Sequence, residues 1–143
     1  MTFIKQLSVF IENRTGRLNE ITKILADNSI NIVCVSLADT AEYGIFRLIV
    51  SNPKTAQDIL AQKGFASTLT DVIGVRLPHH FGMLNKMTEL LTGAGVSLSY
   101  IYALNSGENN ASIIIKTSDN TKAAEVLVGS GFVLIDSVEA YNL

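Results

Sequence analysis

Glu12-Asn13-Arg14-Thr15-Gly16-Arg17-Leu18 is the stretch whose reading decides the fold. It follows Leu7-Ser8-Val9-Phe10-Ile11, an apolar alternation of the kind a half-buried strand shows. It precedes Leu18, Ile21, Ile24 and Leu25, which share one face of a helix. The stretch is therefore a strand-to-helix turn, and such a turn delivers free backbone N–H groups at a helix N-terminus, where carboxylates and other anions are favoured. Asn13 adds a side chain that both donates and accepts, and Gly16 lets the backbone come close to a ligand. The plain structural alternative is a capped helix start with Thr15 as the cap.

The turn occurs twice. Val75-Arg76-Leu77 runs into Pro78-His79-His80-Phe81-Gly82-Met83-Leu84, and a helical pattern follows at Leu84, Met87, Leu90 and Leu91. Gly16 and Gly82 stand 66 positions apart, as do Leu18 and Leu84, Leu25 and Leu91, and Asn31-Ile32 and Ser97-Leu98. Gly64-Phe65 and Gly131-Phe132 are 67 apart, so one residue has been added, and the hairpin stretch from Asn105 to Asn110 is the place expected for it. The chain reads as a tandem duplication, residues 1–70 and 71–143.

Each half carries the same order of elements. In the first, strands are expected over about 3 to 11, Ile30 to Ala38, Ile45 to Val50 and Thr68 to Asp71, with helices over about 16 to 27 and from Asn52-Pro53 to about Gln62. Asn28 is expected as a left-handed cap, and Asp39 to Gly44 as a hairpin loop. In the second half the strands are Ile73 to Leu77, Val96 to Leu104, Ala111 to Thr117 and Val133 to Ile135. The helices there run to Gly93-Ala94-Gly95 and over about Asp119 to Val128, and Val138 to Tyr141 is expected as one further strand. Strand-helix-strand-strand-helix-strand with right-handed crossovers gives an α+β fold: two tandem ferredoxin-like βαββαβ domains, each an antiparallel sheet with both helices on one face. No Ser- or Gly-rich linker separates the halves, which are expected to pack together.

At this point the residues resemble a known family. Both halves look like ACT domains, the small-molecule regulatory modules of amino-acid metabolism, over nearly the whole chain. Glu12-Asn13-Arg14-Thr15-Gly16, with Asn31 eighteen positions after Asn13, is similar to the serine-sensing ACT domain of phosphoglycerate dehydrogenase. That resemblance implies that Asn13 and Asn31 hold an effector amino acid across a dimer interface. The second half, with Tyr100-Ile101-Tyr102-Ala103, resembles stand-alone tandem ACT proteins that carry no catalytic domain. Two departures stand out. The family usually has Pro before the turn glycine, where this chain has Thr15 and Phe81; and the second half has His79 and Ser97 in the places of Asn13 and Asn31, which puts its site in doubt or suits it to another ligand.

The ligand contacts expected are Asn13, Arg14, Thr15, Gly16, Arg17, Leu18, Asn31, Ile32 and Val33 in the first half. In the second they are His79, Phe81, Gly82, Met83, Leu84, Ser97 and Leu98. The ligand carboxylate sits on the Arg14 to Leu18 amides, the asparagines pair with its amino and carboxylate groups, and its side chain packs on Leu18 and Val33. The first turn is expected to be the better site, because carboxamides donate and accept at once.

Other chemistries fare worse. His79-His80 are adjacent on an extended segment and point apart, without a Cys, Asp or Glu cluster, so no metal is expected. Tyr100 and Tyr102 face the same side of a strand and suit packing. A net charge of −2 speaks against nucleic acid and anionic membranes as partners. No apolar run is long enough to span a bilayer, and no secretory leader opens the sequence. The lone Cys34, in Ile32-Val33-Cys34-Val35, is expected to be a buried, inert thiol in a cytoplasmic protein. There is no Gly-x-Ser-x-Gly, no phosphate loop and no paired carboxylates, so neither catalysis nor a cofactor is expected. The apolar runs Ile32 to Leu37 and Ile113 to Ile115 exceed what two helices per half can cover and point to a homodimer through a sheet edge or face. The competing reading is a structural module whose sheets pair with another protein and bind no ligand.

Overall fold

The structure, a computed structural model, describes residues 2–12, 14–39, 42–78, 80–104 and 111–143. The elements in chain order are β1 (Ile4–Glu12), α1 (Arg17–Asp27), β2 (Ile32–Asp39), β3 (Tyr43–Val50), α2 (Pro53–Gln62) and β4 (Ser67–Leu77). There follow α3 (Met83–Gly93), β5 (Leu98–Leu104), β6 (Ala111–Thr117), α4 (Asn120–Gly129), β7 (Leu134–Ile135) and α5 (Ser137–Tyr141). The chain divides into two compact units, one built on Lys5–Thr70 and the other on Asp71–Tyr141, to which the opening residues up to Ile4 also belong.

In the first unit the strand order is β2-β3-β1, with the start of β4 beside β1, where the Phe10 amide donates to the Ala66 carbonyl at 3.1 Å. Leu7 lies opposite Leu48 and Val9 opposite Phe46, so the alternation in β1 and β3 presents one shared apolar face. That face meets Ile21 and Leu25 of α1 and Ala56 and Leu60 of α2, each pair one helical turn apart, and all are buried in one core with Phe65. Each fully buried Leu or Ile of this kind contributes about 1.5–3 kcal/mol.

The second unit repeats the plan. Its order is β5-β6-β4, and β7 flanks β4 on the other side. Met87 and Leu91 of α3 and Ala123 and Leu127 of α4 close over Ile73, Val75 and Ile115, with Phe132 standing where Phe65 stands in the first core. Both units are thus ferredoxin-like antiparallel sheets with their helices on one face.

The second strands open on a matching pair of clamps. The Asn31 amide donates to Ser51 Oγ at 3.0 Å, and the Ser51 amide donates back to the Asn31 carbonyl at 2.9 Å. Ser97 and Ser118 make the same two bonds at 3.0 and 2.9 Å.

Several expectations change. Thr15 does not cap α1: the N-cap is Gly16, with φ 91° and no side-chain cap among the described residues. The left-handed residue after α1 is Ser29 (φ 57°) and not Asn28, whose side chain donates instead to the Ile24 carbonyl at 2.8 Å. Thr68 to Asp71 and Ile73 to Leu77 are one strand, β4. Tyr43 and Gly44 belong to β3 and not to the loop, because they pair with Glu12 and Ile11 of β1. Thr40 and Ala41 of that loop, and the whole Asn105 to Asn110 hairpin, lie outside the described residues.

Val138 to Tyr141 form the helix α5 and no strand. Asp136 is the cause: its Oδ1 accepts from the amides of Val138 (2.9 Å) and Glu139 (3.2 Å), which is N-capping chemistry, with a Glu at the third helical position. Finally, Ile114 and Ile115 are wholly buried, so the Ile113 to Ile115 run offers no open apolar face. Val35 and Leu37 of β2, by contrast, are half exposed.

Candidate functional site

The first turn is shaped by backbone. The Arg14 amide donates to the Glu12 carbonyl at 2.8 Å, the Arg17 amide to the Arg14 carbonyl at 3.3 Å, and the Glu20 amide to the Gly16 carbonyl at 3.0 Å. A Cβ on Gly16 would meet nothing within 4 Å, so glycine is required here by its left-handed φ and not for want of room. Gly82 (φ 82°) does the same for α3.

Beside the first turn lies a cavity of about 370 Å³, lined by Ile11, Glu12, Arg14, Gly16, Arg17, Leu18, Leu37 and Gly44. Its charged groups are braced. Arg14 Nε donates to Glu12 Oε2 at 3.0 Å, an exposed pair worth little in stability. Arg17 Nη1 donates to Glu20 Oε2 at 2.9 Å, and its guanidinium carbon sits 4.2 Å from the centre of the Phe65 ring. The Arg17 side chain is only 18% exposed, and its buried Nε has no hydrogen-bond partner among the described residues. The wall thus offers two guanidinium groups and one carboxylate next to Ile11, Leu18 and Leu37.

Of the residues expected from sequence, Arg14, Gly16, Arg17 and Leu18 come together here. Thr15 is exposed and does not line the cavity. Asn13 and His79 lie outside the described residues. Asn31, Ile32 and Val33 stand at the far end of β2. Ile11 opposes Gly44, while Ile32 opposes Val50, six residues further along β3 and so about 20 Å away at 3.3 Å per residue. Ile11, Glu12, Leu37 and Gly44 were not anticipated as lining residues. They enter because three strand ends converge on the turn, a register that spacing along the chain does not reveal.

In the second unit, Leu77, Pro78, His80, Phe81, Met83, Leu84 and Ala111 line an open cavity of about 540 Å³ beside the turn. Gly82 shapes this turn without lining the cavity. Ser97 and Leu98 stand at the other end of β5, where Leu98 opposes Thr117 and packs on the core. Tyr100 and Tyr102 stack on each other, centroids 6.4 Å apart and planes 17° from parallel, on the same side as expected.

Cys34 is half-buried, and burial pushes its thiol up to about 11 against the opposing pull of a backbone hydrogen bond from Ile49. Such a thiol is protonated and inert at neutral pH. Among the described residues no group of three or more His, Cys, Asp or Glu is placed to hold a metal ion, and no helix is long and apolar enough to cross a membrane.

The geometry finds its counterparts in known proteins. The chain aligns over 99% of its length with 98% of protein BT0572 from Bacteroides thetaiotaomicron, at 37% identity and a TM-score of 0.93. The ligand-free regulatory subunit of aspartate kinase from Thermus thermophilus shares the fold at 16% identity and a TM-score of 0.65, covering 90% of this chain and 94% of that one. The same subunit from Thermus flavus does so at 16% and 0.62, covering 91% and 94%. Among curated proteins none matches. The family described as the ACT domain pair matches residues 1–142, and with the duplicated βαββαβ fold and its two glycine turns in place, the chain belongs to that family.

Proposed function

We propose that this chain is a non-catalytic cytoplasmic regulatory protein that binds an amino acid or a similar small carboxylate at its first turn. One observation carries the reading: a single cavity presents Arg14 and Arg17, Glu12, and the apolar Ile11, Leu18 and Leu37. An α-amino acid has an anionic head, a cationic head and a side chain, and each finds a complement there. At about 370 Å³ the space suits a ligand of that size. Asn13, at the same turn, is proposed as a further polar contact.

The working unit is proposed to be a homodimer. Among the described residues β2 pairs with β3 alone, leaving its outer edge open beside the exposed Val35 and Leu37. If two such edges pair antiparallel, the turn end of one copy comes beside the Asn31 end of the other. Asn31 of the partner subunit then completes a cavity that its own chain cannot reach, and Ile32 and Val33 come with it. The second reading, a partner-binding module without a ligand, rests on the same open edge. A thermal-shift screen against the proteinogenic amino acids separates them, since a ligand bound only by the native state raises the melting temperature by mass action. Stabilisation by one amino acid or a related few is the expected outcome. If none shifts melting at millimolar concentration, the module reading takes over.

A further inference from the structure

The two turn cavities occupy equivalent places in the two units, yet their chemistry is opposite. Glu12, Arg14 and Arg17 of the first become Pro78, His80 and Met83 in the second. Thr15 becomes Phe81, which is fully exposed at the rim, and Leu84 is half exposed beside it. Among the described residues of this cavity the carboxylate and both guanidinium groups are gone, so an amino acid's ammonium and carboxylate would be desolvated there without those counter-charges. What lines it, among the described residues, is a ring, a thioether, an imidazole and aliphatic walls. Thioether sulfur and aromatic rings attract ring edges and faces.

We infer that the second turn is a distinct binding site for an uncharged aromatic small molecule, held by Phe81, Met83 and Leu84, and that the duplication reads two ligands of different class. The inference shares with the proposed function only the idea that the turn is a place for ligands. Its size, about 540 Å³, accommodates a bicyclic ring.

Met83 and the wholly buried Met87 are ready reporters once the methionine methyl groups carry ¹³C. Titration with indole should move the Met83 methyl resonance saturably and the Met87 methyl far less, while glycine, a bare zwitterion, should leave Met83 in place. Phe81→Ala should weaken the indole response at least fivefold. Since Phe81 is fully exposed, the variant should keep the Met87 signal of the folded chain. No indole response at Met83, an equal response to glycine, or an unaltered indole titration in Phe81→Ala would each overturn the inference. Failure of the amino-acid screen at the first turn would leave this titration untouched, so the two readings fail separately.

Discussion

Arg17→Met places in the first unit the residue that the second carries at the equivalent position, Met83, so the turn is known to accommodate that side chain. The stability effect has two signs. The cation–π contact with Phe65 at 4.2 Å is lost, at about 1 kcal/mol. The ion pair with Glu20 is also lost, but that carboxylate is 51% exposed, so screening leaves about 0.3–0.5 kcal/mol. Against this, the buried Nε that has no partner among the described residues disappears, and relieving such a group returns about 1–3 kcal/mol. The net should lie between about 0.5 kcal/mol destabilising and about 1.7 kcal/mol stabilising. By calorimetry without ligand, the melting temperature should fall by no more than about 2 °C or rise by a few degrees. Binding should move the other way: a hydrogen bond to a charged group contributes about 1.5–3 kcal/mol, so the Kd of a stabilising amino acid should rise about tenfold or more in titration calorimetry. A fall in melting temperature beyond about 5 °C, well over 1 kcal/mol for a chain of this size, would refute the balance drawn here for Arg17. An unchanged Kd would remove Arg17 from the site.

Gly16→Ala and Gly82→Ala should each destabilise by about 1–2 kcal/mol in chemical denaturation, through left-handed strain alone, because neither new methyl meets another atom. Asp136→Ala should cost about 1 kcal/mol and increase hydrogen exchange in α5, whose first amides it caps. The raised Cys34 pKa means that the unfolded thiol ionises first as pH rises, so its contribution to stability declines between about 9 and about 11; the pH dependence of unfolding should be flatter across that window in Cys34→Ala. Leu37→Glu, on the open edge of β2, should convert a dimer to a folded monomer in light scattering and abolish stabilisation by amino acids.

Much of the fold was written in period and punctuation. Ile21 and Leu25, Met87 and Leu91, and the two turn glycines announced paired helices, and the 66-residue offset announced the duplication. What escaped was chemistry that looks the same in sequence as something else. Val138 to Tyr141 reads as a strand until Asp136 is recognised as a cap. Thr15 looks like a better cap than Gly16 because the left-handed φ of a cap residue leaves no sign except the glycine itself. The candidate site was legible to the extent that its cavity lies on one turn: Arg14, Gly16, Arg17 and Leu18 are neighbours in sequence and line the same space. Leu37 and Gly44 reach the cavity through strand register. The same register carries Asn31 away from it, though their spacing from Asn13 suggested neither outcome.

The clamps that open the second strands bear on how a duplicated domain can drift. At position 31 and its counterpart 97, the bonds to Ser51 and Ser118 run through the amide and carbonyl of the main chain, so asparagine and serine hold the strand equally well. The geometry is indifferent to the side chain it carries. A gene encoding two such copies can therefore rewrite that position by single mutations, in one copy at a time, while every intermediate still folds. Change at that position therefore costs the scaffold little, whatever its side chain is asked to do.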